Sequence, residues 1–159
     1  MISWRRGAVT GNIEEELRRL SVEIRLLEQT AETITARINM INAAMAELTY
    51  AIITLGELEK EKGNAEILIP IGGDTYIKAK LENLEKVTVG IGAGISIEKT
   101  PQETKEIINK RLENLEKARE SLQQQLAQVA ERINADREKA EELATALKKG
   151  TSPKNVRET

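Results

Sequence analysis

The glycines at 90, 92 and 94, interleaved with Ile91 and Ala93, and a large stock of carboxylates are what this chain offers to chemistry. A glycine-rich loop cradles phosphate when it follows a strand and its N–H groups open a helix. Here the third glycine of that pattern is missing and a strand follows, so the segment reads as a hairpin turn. The 26 Asp and Glu residues could do acid–base work only where two faced each other in an apolar cleft, and the pattern sets none so. With no His and no Cys, the chain lacks Ser-His and Cys-His pairs, imidazole and thiolate metal ligands, and disulfides. The sequence therefore reads as a non-enzyme with no catalytic residue, no metal site and no cofactor, whose function follows from shape and apolar surface.

Two long stretches present that surface. In the first, Ile13, Leu17, Leu20, Ile24, Leu27, Ala31, Ile34, Ile38, Ile41, Met45, Leu48, Ile52 and Leu55 follow one another in steps of four and three. That period of 3.5 keeps a narrow stripe on one side of a supercoiled helix, a coiled-coil seam. The second seam runs Ile108, Leu112, Leu115, Leu122, Leu126, Val129, Ile133, Ala140, Leu143 and Leu147, with Arg119 and Asp136 at seam positions, where polar residues fix register. Among 159 residues, 31% are charged and 2% aromatic, which suits long helices better than a globular core. The net charge of −2 gives no general attraction to nucleic acid or an anionic membrane, and acidic residues occur on every helix face, against a basic nucleic-acid-binding stripe. No stretch shows the unbroken apolar length of a membrane span. Arg5-Arg6 is followed by acidic residues and not by the apolar core of an export signal, so the cytoplasm is the expected compartment.

Local signals divide the chain. Residues 1–11 match neither seam and read as a flexible tail. Asn12, with Glu15 in the capping-box position, opens a helix over 12–63, which Gly63-Asn64 stops. Over 66–99 the apolar period becomes two, giving two hairpins that turn at Gly72-Gly73-Asp74 and Gly92-Ala93-Gly94. Pro70 marks an edge or a bulge. Thr100, Pro101 and Glu103 supply N-cap, first-turn proline and capping box for a helix over 100–150, and 151–159 is a second tail. The glutamates of Glu14/Arg18, Glu15/Arg19, Glu106/Lys110 and Glu113/Lys117 stand four residues before their cations, the favourable order.

The expected fold is α+β: a long antiparallel coiled coil of the N- and C-terminal helices, each roughly 75 Å long, joined by the hairpins. Isolated hairpins are not stable in water. Closing hairpins from several chains into an oligomeric β-barrel body would bury Ile67, Ile69, Ile77, Val87, Val89, Ile95 and Ile97.

Between the two helices, Glu-Ile-Leu-Ile-Pro-Ile-Gly-Gly (66–73), Thr-Tyr-Ile-Lys-Ala-Lys-Leu (75–81) and Lys-Val-Thr-Val-Gly-Ile-Gly-Ala-Gly-Ile-Ser-Ile-Glu-Lys (86–99) resemble the prefoldin family. Two hairpins point to its archaeal-type α class. The resemblance implies a hetero-hexamer of two α-type and four β-type subunits that holds non-native polypeptides without ATP and delivers them to a group II chaperonin. On that reading the client-binding tip is formed by Ile13, Leu17, Leu20, Leu143 and Leu147, seam residues with fewer neighbours to cover them. The alternative is a coiled-coil scaffold that joins fixed partners and binds no client.

Overall fold

A computed structural model of the chain describes residues 3–61, 63–82 and 84–149, with side chains from residue 10 onward. The element order is α1 (Ser3–Lys60), β1 (Ala65–Gly72), β2 (Thr75–Leu81), β3 (Val87–Gly92), β4 (Ile95–Lys99) and α2 (Pro101–Lys149). The chain divides into two compact units: unit 1 holds Met1–Asn39 and Glu120–Thr159, and unit 2 holds Met40–Arg119.

The first helix starts earlier than its capping signals suggest. It begins at Ser3, so residues 3–11, expected as a tail, are helical and Asn12 is an interior residue. Gly7 and Gly11 each weaken a helix interior by about 1 kcal/mol. Arg5 and Arg6 before them and Ala8 between them are good helix formers, and a start at Asn12 would forgo two turns of backbone hydrogen bonds. Threonine, usually poor in helix interiors, is accommodated in α1: Thr30, Thr33, Thr35 and Thr49 donate their hydroxyls to the carbonyl four residues back at 2.8–2.9 Å. Lys60 lies in the last turn, and Gly63 and Asn64 follow with φ of 65° and 59°. Asn64 N–H then donates to the Leu81 carbonyl at 2.8 Å, tying the exit from α1 to the end of β2. Residues 150–159, which include the expected second tail, lie outside the described residues.

One window of α1 is, by length and composition, apolar enough to cross a membrane, contrary to the reading that no such stretch exists. From Ile38 to Leu55 the only charged residue is Glu47. The apolar residues there include the 4-3 seam, and Ile38, Ile41, Met45, Leu48, Ile52 and Leu55 are half-buried or buried.

In unit 2, β1 pairs antiparallel with β2 and β3 with β4, as two separate two-stranded sheets. Both carry the same device at the turn. The register shifts between Pro70 and Gly72 in one hairpin and between Gly90 and Gly92 in the other, leaving Ile71 and Ile91 as bulged residues. Three left-handed residues then reverse the chain: Gly72, Gly73 and Asp74 at φ 107°, 54° and 54°, and Gly92, Ala93 and Gly94 at 110°, 51° and 73°. Pro70 stands beside the first bulge, where its missing N–H breaks no regular ladder.

The start of α2 closes reciprocally. Thr100 N–H donates to Glu103 Oε2 at 3.0 Å, and Glu103 N–H donates to Thr100 Oγ1 at 3.2 Å.

Candidate functional site

Each hairpin brings its apolar residues to one face through register. Ile67 lies opposite Ala79 and Ile69 opposite Ile77; in the second hairpin Val89 lies opposite Ile97, and Ile95 pairs with Gly92 past the bulge. The seven residues expected in a barrel core then separate by burial. Ile69, Ile77 and Ile95 are exposed, at 40%, 48% and 56%; Ile67, Val87 and Ile97 are half-buried. Val89 is different: it is 6% exposed and already part of the chain's own core. From α2, the Arg111 guanidinium donates to the Gly90 carbonyl next to it, which holds β3 against that helix. The other face of the first hairpin carries exposed Leu68 and Tyr76 beside the Lys78–Glu66 ion pair at 3.0 Å. A strict inward/outward alternation misses that apolar pair.

In unit 1 the two helix segments run antiparallel, tied by Lys139–Glu16 at 2.6 Å, Arg132–Glu23 at 2.8 Å and Arg137–Glu28 at 2.6 Å. Hydrogen bonding to Glu23, and then the charges of Asp136 and Glu23, raise the Arg132 pKa further above its ordinary value. In unit 2, Lys105 pairs with Glu59 in the same cross-helix manner. The i,i+4 pairs Glu14/Arg18, Glu15/Arg19, Glu106/Lys110 and Glu113/Lys117 do not form among the described residues. Partners on the facing helix hold Glu16, Glu23 and Glu28, whereas these four pairs project into solvent, where holding two long side chains together gains little.

The expected tip residues meet in this unit, but not as exposed surface. Ile13, Leu20 and Leu143, at 4%, 5% and 6% exposure, form a buried cluster against which Leu17, Ala140 and Leu147 pack. The reason is the longer α1. Ile13 sits well inside the helix, with its turn fixed on both sides, and faces Leu143 across the seam. Among the described residues, the exposed large apolar residues of unit 1 are instead Val22 and Leu26, an i,i+4 pair two positions past seam residues Leu20 and Ile24. In unit 2, Met40, Tyr50 and Ile53 are exposed on α1 in the same way. The signal was in the sequence, since Val22, Leu26, Met40 and Tyr50 stand two positions past a seam residue and Ile53 one past Ile52, but a reading that follows only the 4-3 stripe passes over them.

Both polar seam residues carry an unmet demand. Arg119 donates to Asn42 Oδ1 at 3.3 Å and pairs with Glu116, while its buried Nε has no partner among the described residues. Asp136 receives Arg132 Nε at Oδ1, 3.2 Å away, and its buried Oδ2 accepts nothing from the described residues.

Two long helices joined by hairpins with uncovered apolar faces define a coiled-coil subunit built to assemble. The profile of the family described as "Prefoldin subunit" matches residues 27–146. Prefoldin subunit alpha of Methanococcoides burtonii is 37% identical over 76% of this chain and 87% of its own length. That of Methanopyrus kandleri is 38% identical over 72% of this chain and 73% of its own. Among solved structures, filamentous prefoldin from Methanocaldococcus jannaschii superposes with a TM-score of 0.64 at 27% identity, over 70% of this chain and 93% of that one. The chain belongs to the prefoldin family, whose members are chaperone subunits.

Proposed function

We propose that the chain is an α-type subunit that assembles with β-type prefoldin subunits through its hairpins, captures non-native polypeptides on apolar residues of the helix pair without ATP, and passes them to a group II chaperonin in the cytoplasm. The observation that carries the assembly is the exposure of Ile69, Ile77 and Ile95 on hairpin faces that nothing in the described residues covers. The helix pair ends in the cluster of Ile13, Leu17, Leu20, Leu143 and Leu147, which in the closed form is packed on itself. Client capture on this reading requires the pair to part. Val22 and Leu26 stand exposed nearby and give a client its first hold. A non-native chain has no fixed shape, so apolar contacts spread over several subunits hold it together by effective concentration.

The test is light scattering of a chemically unfolded, aggregating protein with the assembled complex present and ATP absent. Suppression of scattering is expected. A complex that assembles and gives no protection would overturn the chaperone reading in favour of a scaffold.

A further inference from the structure

We propose that Asp136 is the built-in breakpoint of the helix pair in unit 1, where the seam parts to uncover the cluster of Ile13, Leu17, Leu20, Leu143 and Leu147. The inference rests on the reading of that cluster as client-holding surface and names what controls its exposure.

Asp136 occupies a seam position and is 4% exposed. A carboxylate has two acceptor oxygens, and burial removes water from both. Arg132 Nε serves Oδ1 at 3.2 Å, but the same guanidinium also reaches out to Glu23 at 2.8 Å and is 59% exposed, so it answers half of the demand. Oδ2 is left buried without a donor among the described residues. In the closed pair that oxygen is therefore worse placed than in water, and it recovers hydration only when the facing surface of α1 moves away. The closed seam is penalised at this one layer.

The layer is placed where the penalty matters. On one side of it the seam continues through Ile133, which is buried, toward Val129 and Leu126. On the other side lie Ala140, Leu143 and Leu147 with their partners Ile13, Leu17 and Leu20. Among the described residues, Lys139–Glu16 is the cross-helix ion pair with both partners on that side, and Arg137, also past Asp136, reaches back across the layer to Glu28. The groove beside the layer, lined by Glu16, Glu23, Arg132, Asp136 and Lys139, is open in the closed pair, so water stands close by and reaches Oδ2 as soon as the helices separate. A small apolar cluster cut off from the main seam by a strained polar layer opens as its own unit, ahead of the rest of the helix pair.

The test uses the full-length chain in its assembled form and compares the parent with Asp136→Leu and the near-isosteric Asp136→Asn. Hydrogen exchange, without client, is followed by mass spectrometry over residues 13–24 and 136–149, with 108–129 as the internal reference. Filling the layer with Leu should slow exchange in the two end segments by roughly tenfold, Asn should slow it less, and the reference segment should not change. Scattering protection should fall in the same order, because the cluster opens less often. Unchanged exchange in the end segments for both variants overturns the proposal. Slower exchange with undiminished protection keeps Asp136 as the breakpoint and overturns the cluster as the client surface.

Discussion

The helix pair of unit 1 and the hairpins of unit 2 use the same residue types, Ile, Leu and Val, and end up with opposite exposure. In unit 1 the 4-3 repeat gives each seam residue a neighbour on the other helix of the same chain, and Ile13, Leu20 and Leu143 close into a buried cluster. In unit 2 the period of two gives Ile69 a cross-strand neighbour in Ile77, yet both stay exposed because no layer lies over the sheet face. A helix buries a stripe with one partner, whereas a two-stranded sheet needs a second layer to bury a face. On the proposed assembly, surface that one chain cannot close is left for other subunits. Surface that it can close becomes available only by opening.

Val89 and Ile77 break this comparison most sharply, since they sit on corresponding faces of sister hairpins and differ in burial. Val89→Asp would place a carboxylate without a partner in the chain's own core, with an expected loss of about 3 kcal/mol or more. Thermal unfolding followed by circular dichroism reads it. Ile77→Asp should leave the helical signal in place and remove the higher-mass species from a native mass spectrum, because in the proposed assembly its neighbours are other subunits. Lys78→Asp, next in sequence and on the opposite face, loses one exposed ion pair with Glu66, worth about 0.5 kcal/mol, and should assemble. Equal effects at 77 and 78 would mean that the assembly face is wrongly assigned.

The cluster of unit 1 is the other side of the contrast. Replacing Leu17, Leu20, Leu143 and Leu147 by Ser should leave assembly intact and lower protection of an unfolded client. Each buried Leu truncated in a cooperative core costs about 2–5 kcal/mol. Here the total loss in global stability should be much smaller than that sum, because an end that opens by itself limits the loss to its own opening free energy. Size-exclusion chromatography with mass detection, calorimetry and scattering read the three quantities. Loss of assembly in the four-Ser variant would show that the pair and the hairpins are not energetically separate.

Much of this was legible from residue order because it rests on local chemistry. The capping residues Thr100 and Glu103 exchange the hydrogen bonds their spacing implies, and the glycines of both turns take the left-handed angles that favour glycine. The seam was legible too, since a 3.5 period has one physical use in two adjacent helices. The start of α1 was not, because near its end a helix is decided by small propensity terms, and two glycines do not outweigh the backbone hydrogen bonds of the turns that contain them. Nor was the burial of Val89, which depends on α2 reaching the hairpin through Arg111. Asp136 was visible as a polar seam residue, but only three-dimensional placement shows that one of its oxygens has no donor.

The smallest effect concerns the junction of hairpin and helix. Glu103 accepts hydrogen bonds from the Thr100 N–H, at 3.0 Å, and from Lys99 Nζ, at 3.3 Å. The Thr100 backbone bond first, and then Lys99 and the Thr100 hydroxyl, hold its pKa below the ordinary 4.5. A depressed folded-state pKa means that the folded chain favours the ionised form, so the contribution to stability is complete above the unfolded-state value. It is lost as pH falls through the folded one. The side chain is about half exposed to solvent, which keeps the effect small. Glu103→Gln retains an acceptor oxygen and removes the charge. The parent should therefore protect the first amides of α2 from exchange better than the variant at about pH 7, and the difference should close toward about pH 3. Protection ratios that stay constant across that range would mean that the cap works by geometry alone, without its charge.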